Sequence, residues 1–327
     1  MVPDLHRYDW VIVNSSAGKD SQASLSKVIK TAKAQNYPLD RIVVAHADLG
    51  EMEWPGTLDL AKEHAAHYGL RFEVERRPQG DLLQQVEERG MWPDSKNRFC
   101  TSDHKRGQIA RLFTKLTKET RDALATAGSG VRDQPRPVRD RVRADRHPRH
   151  VGFDEADVDW GGHRGRGGRV LRVRPARPAK RSLKKVRFLS VFGFRSEESP
   201  ARKKMVEFEI DERLTNTLRH VDRWLPVHHW STRDVWHEIH QSGMRSHWAY
   251  QRGMSRLSCR FCIFAPKSQL MISAQQPENR EVFERYVQLE IKIGHRFKAK
   301  ESLQDIKAAV EAGEQVAPGS DDGCWNM

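Results

Sequence analysis

Short apolar runs alternate with helical stretches along most of the chain. Residues 8–14 read as a first strand, and Leu25, Val28, Ile29 and Ala32, spaced i, i+3, i+4, i+7, mark a helix over 20–35. Residues 41–47 form a second β-branched run. Pro55 suits the first turn of a helix with Leu58, Ala61, Ala65 and Tyr68 on one face. Residues 70–75 alternate as a third strand, 81–89 read as a short helix, and 102–119 as a longer one with Ile109, Leu112, Phe113 and Leu116 on its apolar face. Residues 186–194 read as a buried strand. Ser231 and Asp234 form a capping box that opens a helix to about residue 241, and Val282, Tyr286, Leu289 and Ile293 share a helical face near the end. This alternation predicts an α/β fold: a doubly wound, mostly parallel sheet with helices on both faces, ligand at the strand carboxyl ends, and a helical Cys-containing C-terminal part.

Composition changes that picture in one place. The chain of 327 residues carries a net charge of +13. Between Arg132 and Arg187 there are 15 Arg and 3 Lys against 7 Asp or Glu, so that segment holds +11 and the remainder +2. The basicity therefore says little about the folded part. From 121 to 185 no helical or strand period survives, and the run Gly161-Gly162-His163-Arg164-Gly165-Arg166-Gly167-Gly168 has nothing with which to bury a core. Three readings compete for it: a disordered linker, an Arg/Gly segment that binds nucleic acid, or sequence never selected to fold, such as out-of-frame reading of a GC-rich gene. The chain thus divides into 1–120 for nucleotide binding, 121–185 as an insert, 186–300 as the continuation with the paired cysteines, and 301–327 as a terminal helix and tail. No apolar run reaches eighteen residues and the N-terminus lacks a signal-peptide pattern, so a cytoplasmic protein without membrane contact is expected.

The candidate chemistry begins where the first strand ends. Val11-Ile12-Val13 runs into Asn14-Ser15-Ser16-Ala17-Gly18-Lys19-Asp20-Ser21 and then a helix. Such a turn aims backbone N–H groups and a helix N-terminus at one point, which favours phosphate or sulfate. Gly18 allows close approach, Lys19 adds a charge, and Ser16 and Ser21 offer hydroxyls. It is not a Walker A loop, since no Gly stands five residues before Gly18-Lys19 and Asp20 follows the Lys. It resembles the S-G-G-K-D-S pyrophosphate loop of the adenine nucleotide alpha-hydrolase-like superfamily, with Ala17 in place of the first Gly.

Four pieces in order resemble the phosphoadenosine phosphosulfate (PAPS) reductase family within that superfamily. They are 16–21; Asp48-Leu49-Gly50 with Thr57; Gly193-Phe194-Arg195-Ser196-Glu197-Glu198-Ser199; and the region of Trp230, Trp236, Tyr250, Gly253, Cys259 and Cys262. The resemblance covers roughly 8–119 and 186–298. It implies that Ser16, Ala17, Gly18, Lys19, Asp20 and Ser21 hold the phosphates of an adenine nucleotide, whether PAPS, its non-phosphorylated relative APS, or ATP with Mg²⁺. It implies too that Asp48 and Gly50 lie near the adenosine, and that Arg195 and Arg202 bind phosphate or sulfate with paired N–H groups. Lys105 and Arg106 would add charge on the open side, and Glu198 reads as a partner for an arginine rather than as a base.

Four cysteines are too few for a disulfide scaffold and point to a metal, a cluster or redox chemistry. Cys259 and Cys262 form a C-x-x-C pair, and the fold would bring Cys100 to the same mouth. These three are the candidate metal ligands and, with Lys19, the candidate catalytic residues. They would hold a [4Fe-4S] cluster with Cys324, His104 or nothing at the fourth position, or with His104 a zinc ion. Reductases of this family carry a C-terminal Glu-Cys-Gly-Leu-His motif; here the end reads Asp322-Gly323-Cys324-Trp325.

Three functions follow. The first is reduction or transfer of the sulfur group of an adenine sulfonucleotide through thiols or a cluster, with a thiol reductant as partner. The second is ATP-dependent, adenylylating sulfur transfer similar to enzymes that thiolate tRNA or the DNA backbone, with a sulfur-donor protein and a nucleic-acid substrate. The third is an Arg/Gly nucleic-acid-binding protein on an inactive scaffold. Removing 121–185 should leave fold and activity intact; circular dichroism and turnover of the shortened chain check this, and lost activity on an intact fold refutes it.

Overall fold

The computed structural model describes residues 1–129, 185–314 and 316. Its central strand, β1 (Trp10–Ser15), is β-branched and buried on both faces, as expected in the middle of a parallel sheet. It leads through three residues into α1 (Lys19–Ala34). Then come β2 (Ile42–Asp48), α2 (Thr57–His67), β3 (Arg71–Arg76), α3 (Leu82–Arg89) and the single turn α4 (Phe99–Thr101). A π turn over Ser102–Arg106 runs into α5 (Gly107–Ser129). After the break come β4 (Val186–Val191), the turn α6 (Pro200–Lys203), β5 (Phe208–Ile210) and β6 (Arg219–Trp224). The helices α7 (Thr232–Ser242), α8 (Lys267–Gln275), α9 (Arg280–Ile293) and α10 (Leu303–Glu311) complete the described part.

The six strands lie in the order β3-β2-β1-β4-β6-β5, all parallel except β5, which pairs antiparallel with β6. The alternation of β1 shows how the sheet is covered. Val11 and Val13 pack with Leu25, Val28 and Ile29 of α1 and Ala65 of α2 on one face. Ile12 packs with Ile109, Leu112, Phe113 and Leu116 of α5 on the other. The sheet is therefore doubly wound, with the strand order reversing between β1 and β4, and their carboxyl ends mark the crevice where such folds take ligands. A separate apolar cluster gathers α3, Trp92, Phe99 and α8–α10, with Cys100, Cys259 and Cys262 packed against it. This is the helical, Cys-containing C-terminal part.

The structure departs from the sequence reading in three places. Strands β5 and β6 carry no alternation that marks them as strands, because β6 keeps polar side chains inside the sheet. Asp222 is 5% exposed and accepts from the Tyr8 hydroxyl at 2.8 Å and lies 2.9 Å from His220, and Arg223 pairs with Glu209 across to β5. The β4 strand ends at Val191, and Phe192 to Phe194 are already loop. Helix α5 begins at Gly107 behind the π turn and extends through Ser129, so its last residues belong to what the sequence reading assigned to the insert. Residues 1–123 and 185–314 belong to one compact unit. The rest of the Arg/Gly insert, its nucleic-acid reading, and Cys324 lie outside the described residues.

Gly193 fixes how β4 meets α1. A Cβ there would stand 2.5 Å from the Asp20 carbonyl oxygen and 2.8 Å from the Ser21 nitrogen, both backbone atoms that cannot swing aside. We expect Gly193→Ala to cost about 1–3 kcal/mol as an overpacking change, read as a lowered thermal midpoint. Gly56→Ala meets no steric contact but sits at φ 83°, so strain without a clash serves as the comparison.

Candidate active site

The loop between β1 and α1 is closed by its own side chains. The Ser15 hydroxyl accepts from the Ala17 N–H at 3.2 Å, and the Ser21 hydroxyl accepts from the Ser16 N–H at 3.3 Å while donating to the Gly18 carbonyl at 2.9 Å. Ala17 has φ 54°, the left-handed region where glycine is at ease and alanine is not. That is the position where the resembling family has its first Gly, so the substitution carries backbone strain at the turn. Gly18 is extended, and a Cβ there would touch Ser16, Leu257 and Tyr250 at 3.3–3.4 Å.

Lys19 is only 1% exposed. Its Nζ donates to the Ser255 carbonyl at 2.8 Å, lies 3.6 Å from Asp20 Oδ2, and stands 5.7 Å above the Tyr250 ring. The Tyr250 hydroxyl accepts from the Lys19 N–H at 2.8 Å, and the ring is wedged edge-on against Trp236 at 5.1 Å. Residues 250–257 thus lie directly on the loop. Burial raises the Tyr250 pKa well above its ordinary value, keeping it a neutral hydroxyl.

The arginines divide into two roles. Arg195 is 3% exposed and donates through Nε to Asp20 at 2.6 Å, through Nη1 to Glu197 and to the Trp230 carbonyl at 3.2 Å, and through Nη2 to Thr232 at 3.1 Å. Four of its five N–H donors are engaged with protein. It ties α1, the β4 exit and the start of α7 together. Arg202 and Arg256 both pair with Glu198, whose carboxylate also accepts from the Arg195 N–H at 2.9 Å. Glu198 is thus an arginine partner, as read from the sequence. Burial pushes Arg202 down to about 9, helped by the neighbouring charges of Arg256, Arg98 and Arg195, so an anion arriving here would be welcome.

Asp48 and Gly50 hold the turn after β2. The carboxylate accepts from the Gly50 N–H at 2.7 Å and stands 3.7 Å from Arg76, with Gly50 at φ 60°. Beneath the loop, His46 bridges the Ser15 carbonyl at 3.0 Å and the Glu53 carboxylate at 3.0 Å. Burial alone would lower the His46 pKa; the Glu53 hydrogen bond and charge outweigh it, and the net shift is upward.

The three cysteines converge. None is in a disulfide and each is half-buried. Burial raises the Cys100 pKa and pushes Cys259 up to about 12, with Lys105 opposing the rise at both. The Lys105 ammonium is held above its ordinary value by Cys259 first, then, against burial, by Glu53, Cys262 and Cys100. Among the described residues no three His, Cys, Asp or Glu side chains are grouped so as to hold a metal ion. His104 is 2% exposed and turned to Gln85 at 2.8 Å, and burial pushes it down to about 4. His104 therefore does not stand with the thiols, and Cys324, the other fourth ligand read from the sequence, lies outside the described residues.

Sequence reasoning passed over Arg256, Glu53 and His46. Arg256 pairs with Glu198 at 2.6 Å and lies in the chain between Tyr250, which meets the loop, and the Cys259–Cys262 pair. Its position between Gly253 and Cys259 inside a motif-bearing stretch was the available signal.

The doubly wound sheet with this loop at its switch point defines an adenine nucleotide alpha-hydrolase-like protein. The sequence model of the phosphoadenosine phosphosulfate reductase domain matches residues 10–265, and the chain belongs to that family. A curated relative, a protein named only as an uncharacterized 37.8 kDa protein in the gpa 5′ region of Escherichia phage 186, is 40% identical over 87 residues. That match spans 26% of this chain and 25% of the phage protein. Among solved structures, the chain is similar to PAPS reductase from Candida auris in a phosphate complex, at 11% identity and a TM-score of 0.41, over 78% of this chain and 84% of that one. It is also similar to Candida glabrata FMN adenylyltransferase with FMN and an ATP analogue, at 10% identity and a TM-score of 0.39, over 78% and 56% of the two chains. Among the described residues no helix is long and apolar enough to cross a membrane.

The His46–Glu53 pair makes a pH-dependent contribution. A folded-state pKa raised above 6.5 means that its stabilisation is full below 6.5 and is lost as pH rises through the elevated value. The stability difference between the wild type and Glu53→Gln should therefore shrink from pH 5.5 to pH 8, measured by urea unfolding at each pH.

Proposed function

We propose that the chain is an enzyme that binds an adenine sulfonucleotide on residues 16–21 and moves its sulfur group through the thiols of Cys100, Cys259 and Cys262. The observation that carries this reading is the pairing of Arg202 and Arg256 on one carboxylate, Glu198, at 2.6 Å for Arg256, which lies in the chain between Tyr250 at the loop and Cys259. A nucleotide whose phosphates rest at the loop would then extend its sulfate toward the cysteines. Family membership supports the same substrate class.

The roles follow from the charges. Ser16, Gly18, Lys19 and Ser21 hold the phosphates, after Lys19 exchanges the Ser255 carbonyl for a phosphate oxygen. Asp20 and Arg195 are positioning residues that fix the first turn of α1. Arg202 and Arg256 face the sulfate end, with Glu198 setting their spacing. Asp48 and Gly50 shape the turn beside the adenosine. Lys105 opposes the burial that keeps Cys259 protonated, so it favours the thiolate. That thiolate attacks the sulfonate sulfur: an S–S bond forms, the S–O bond to phosphate breaks, and the adenosine phosphate leaves with the electron pair. A second thiolate then attacks the protein sulfur, releasing sulfite and leaving a disulfide, which an external dithiol reduces.

A second reading keeps the fold and changes the substrates. ATP with Mg²⁺ would occupy the loop and adenylylate a second substrate, which then receives sulfur from a donor protein by way of these thiols. The observation favouring it is a cavity lined by Trp248 and joined to the Cys259–Cys262 segment through Arg260, whose guanidinium donates to the Glu278 carbonyl at 3.3 Å.

One experiment separates the two. The purified chain is given PAPS or APS with a dithiol, and separately Mg·ATP with tRNA or DNA as acceptor, and sulfite and pyrophosphate are quantified. Sulfite is expected from the first, reduced at least a hundredfold in Lys19→Ala and in Cys259→Ser, in line with losing a phosphate-binding cation or a nucleophile. Pyrophosphate without sulfite establishes the second reading, and neither product sinks both.

A further inference from the structure

We propose that the cavity at Trp248 is a second binding site, for a nucleobase carrying a phosphate, separate from residues 16–21. It is a cleft open to solvent, of about 530 Å³, lined by Pro55, Trp248, Gln251, Arg252 and Glu278. That volume is in the range of small-ligand sites.

The Trp248 ring is fixed before any ligand arrives. Its Nε1 donates to the Pro55 carbonyl at 3.0 Å, it stacks on His247 at 5.6 Å with 28° between planes, and it meets Trp54 edge-on at 5.5 Å. A half-buried aromatic held by three partners forms a rigid wall, and stacking on it costs little side-chain entropy. The other lining groups supply what a base and its phosphate need. Gln251 and Arg252 come from the same 3₁₀ turn as Trp248, and Glu278 from the turn Pro277–Asn279. An amide that donates and accepts, a carboxylate that accepts from exocyclic amines, and a guanidinium for phosphate together match a splayed-out base better than an aliphatic or purely anionic ligand.

The site is mechanically continuous with the thiols. Arg260, next to Cys259, donates to the carbonyl of Glu278, which lines the cavity, and to the Glu53 carbonyl. The Arg260 N–H also donates to the Met52 carbonyl at 2.9 Å. A nucleotide seated on Trp248 is therefore held by the same framework that holds Cys259. The assignment deepens the second reading above and rests on it for the fate of the ligand, not for binding.

The chemistry is shared by a free nucleotide and by a base in a single strand, so the test has an arm for each. A fluorescein-labelled octanucleotide is titrated by anisotropy into the full-length Lys19→Ala chain, in which the loop site is disabled, and unlabelled AMP is added as competitor. Binding should survive Lys19→Ala, weaken about tenfold or more in Lys19→Ala/Trp248→Ala, and return with Trp248→Phe, as expected for lost base stacking. Arg252→Ala should lower the salt slope of binding. Competition by AMP assigns the site to free nucleotides, and its failure assigns it to strands. If neither probe binds, or if Trp248→Ala binds as tightly as its parent with an unchanged thermal midpoint, the proposal is overturned. Loss of binding in Lys19→Ala alone also overturns it, whereas the sulfite and pyrophosphate assay addresses the loop site independently.

Discussion

The ion pair between the half-buried Asp20 and the buried Arg195 is the constraint on which the site depends. Asp20 lies in the first turn of α1, so its carboxylate sits favourably at a helix N-terminus, and Arg195 reaches it from the loop after β4. Two charges in so dry a place stabilise the fold only if their remaining hydrogen-bonding capacity is met. Here Glu197, the Trp230 carbonyl and Thr232 meet that of the arginine. The interaction therefore locks three elements at the switch point of the sheet, and the missing side chain of Gly193 lets the backbones approach closely enough for it to form.

Around that lock, the phosphate loop has partners that belong to the protein. Tyr250 takes the Lys19 N–H and Ser255 takes its ammonium, so both groups that would serve an anion are satisfied without one. Leaving a buried ammonium and a buried N–H unpaired would be costly, and a polar loop that substitutes for the ligand avoids that cost. The binding of a nucleotide is then an exchange of partners rather than the filling of a void. The same stretch carries Arg256 to Glu198, so movement of residues 250–257 would be felt at the Arg202–Glu198 pair.

The thiols illustrate how burial and charge compete. Packed against the C-terminal apolar cluster, Cys100 and Cys259 are driven toward the protonated form, while Lys105 pulls the other way. An anion or a shift of Glu53 near Lys105 would alter that balance.

Much of the fold was legible in the chain. The run Val11-Ile12-Val13 between a polar start and a glycine turn reads as a strand buried on both faces, and the 3.6-residue period of Leu25, Val28, Ile29 and Ala32 lays a helix on one of them. The loop 16–21, Asp48, Arg195 and the C-x-x-C pair could be singled out as candidates because their chemistry is written in adjacent residues. The strand β6 was hidden because its polar residues are satisfied by partners distant in sequence, Tyr8 and Glu209 among them. Arg195 read as an anion clamp because its guanidinium is suited to one; only the folded chain, by bringing Asp20, Glu197, Trp230 and Thr232 to it, made it a structural tie. Likewise the three cysteines read as metal ligands, and tertiary packing set beside them a lysine and a histidine turned elsewhere. Sequence determined which groups the protein carries and which local elements present them, because periodicity and turn chemistry act over a few residues. Which groups are spent on one another was decided by contacts between residues some two hundred positions apart, and those exist only in three dimensions.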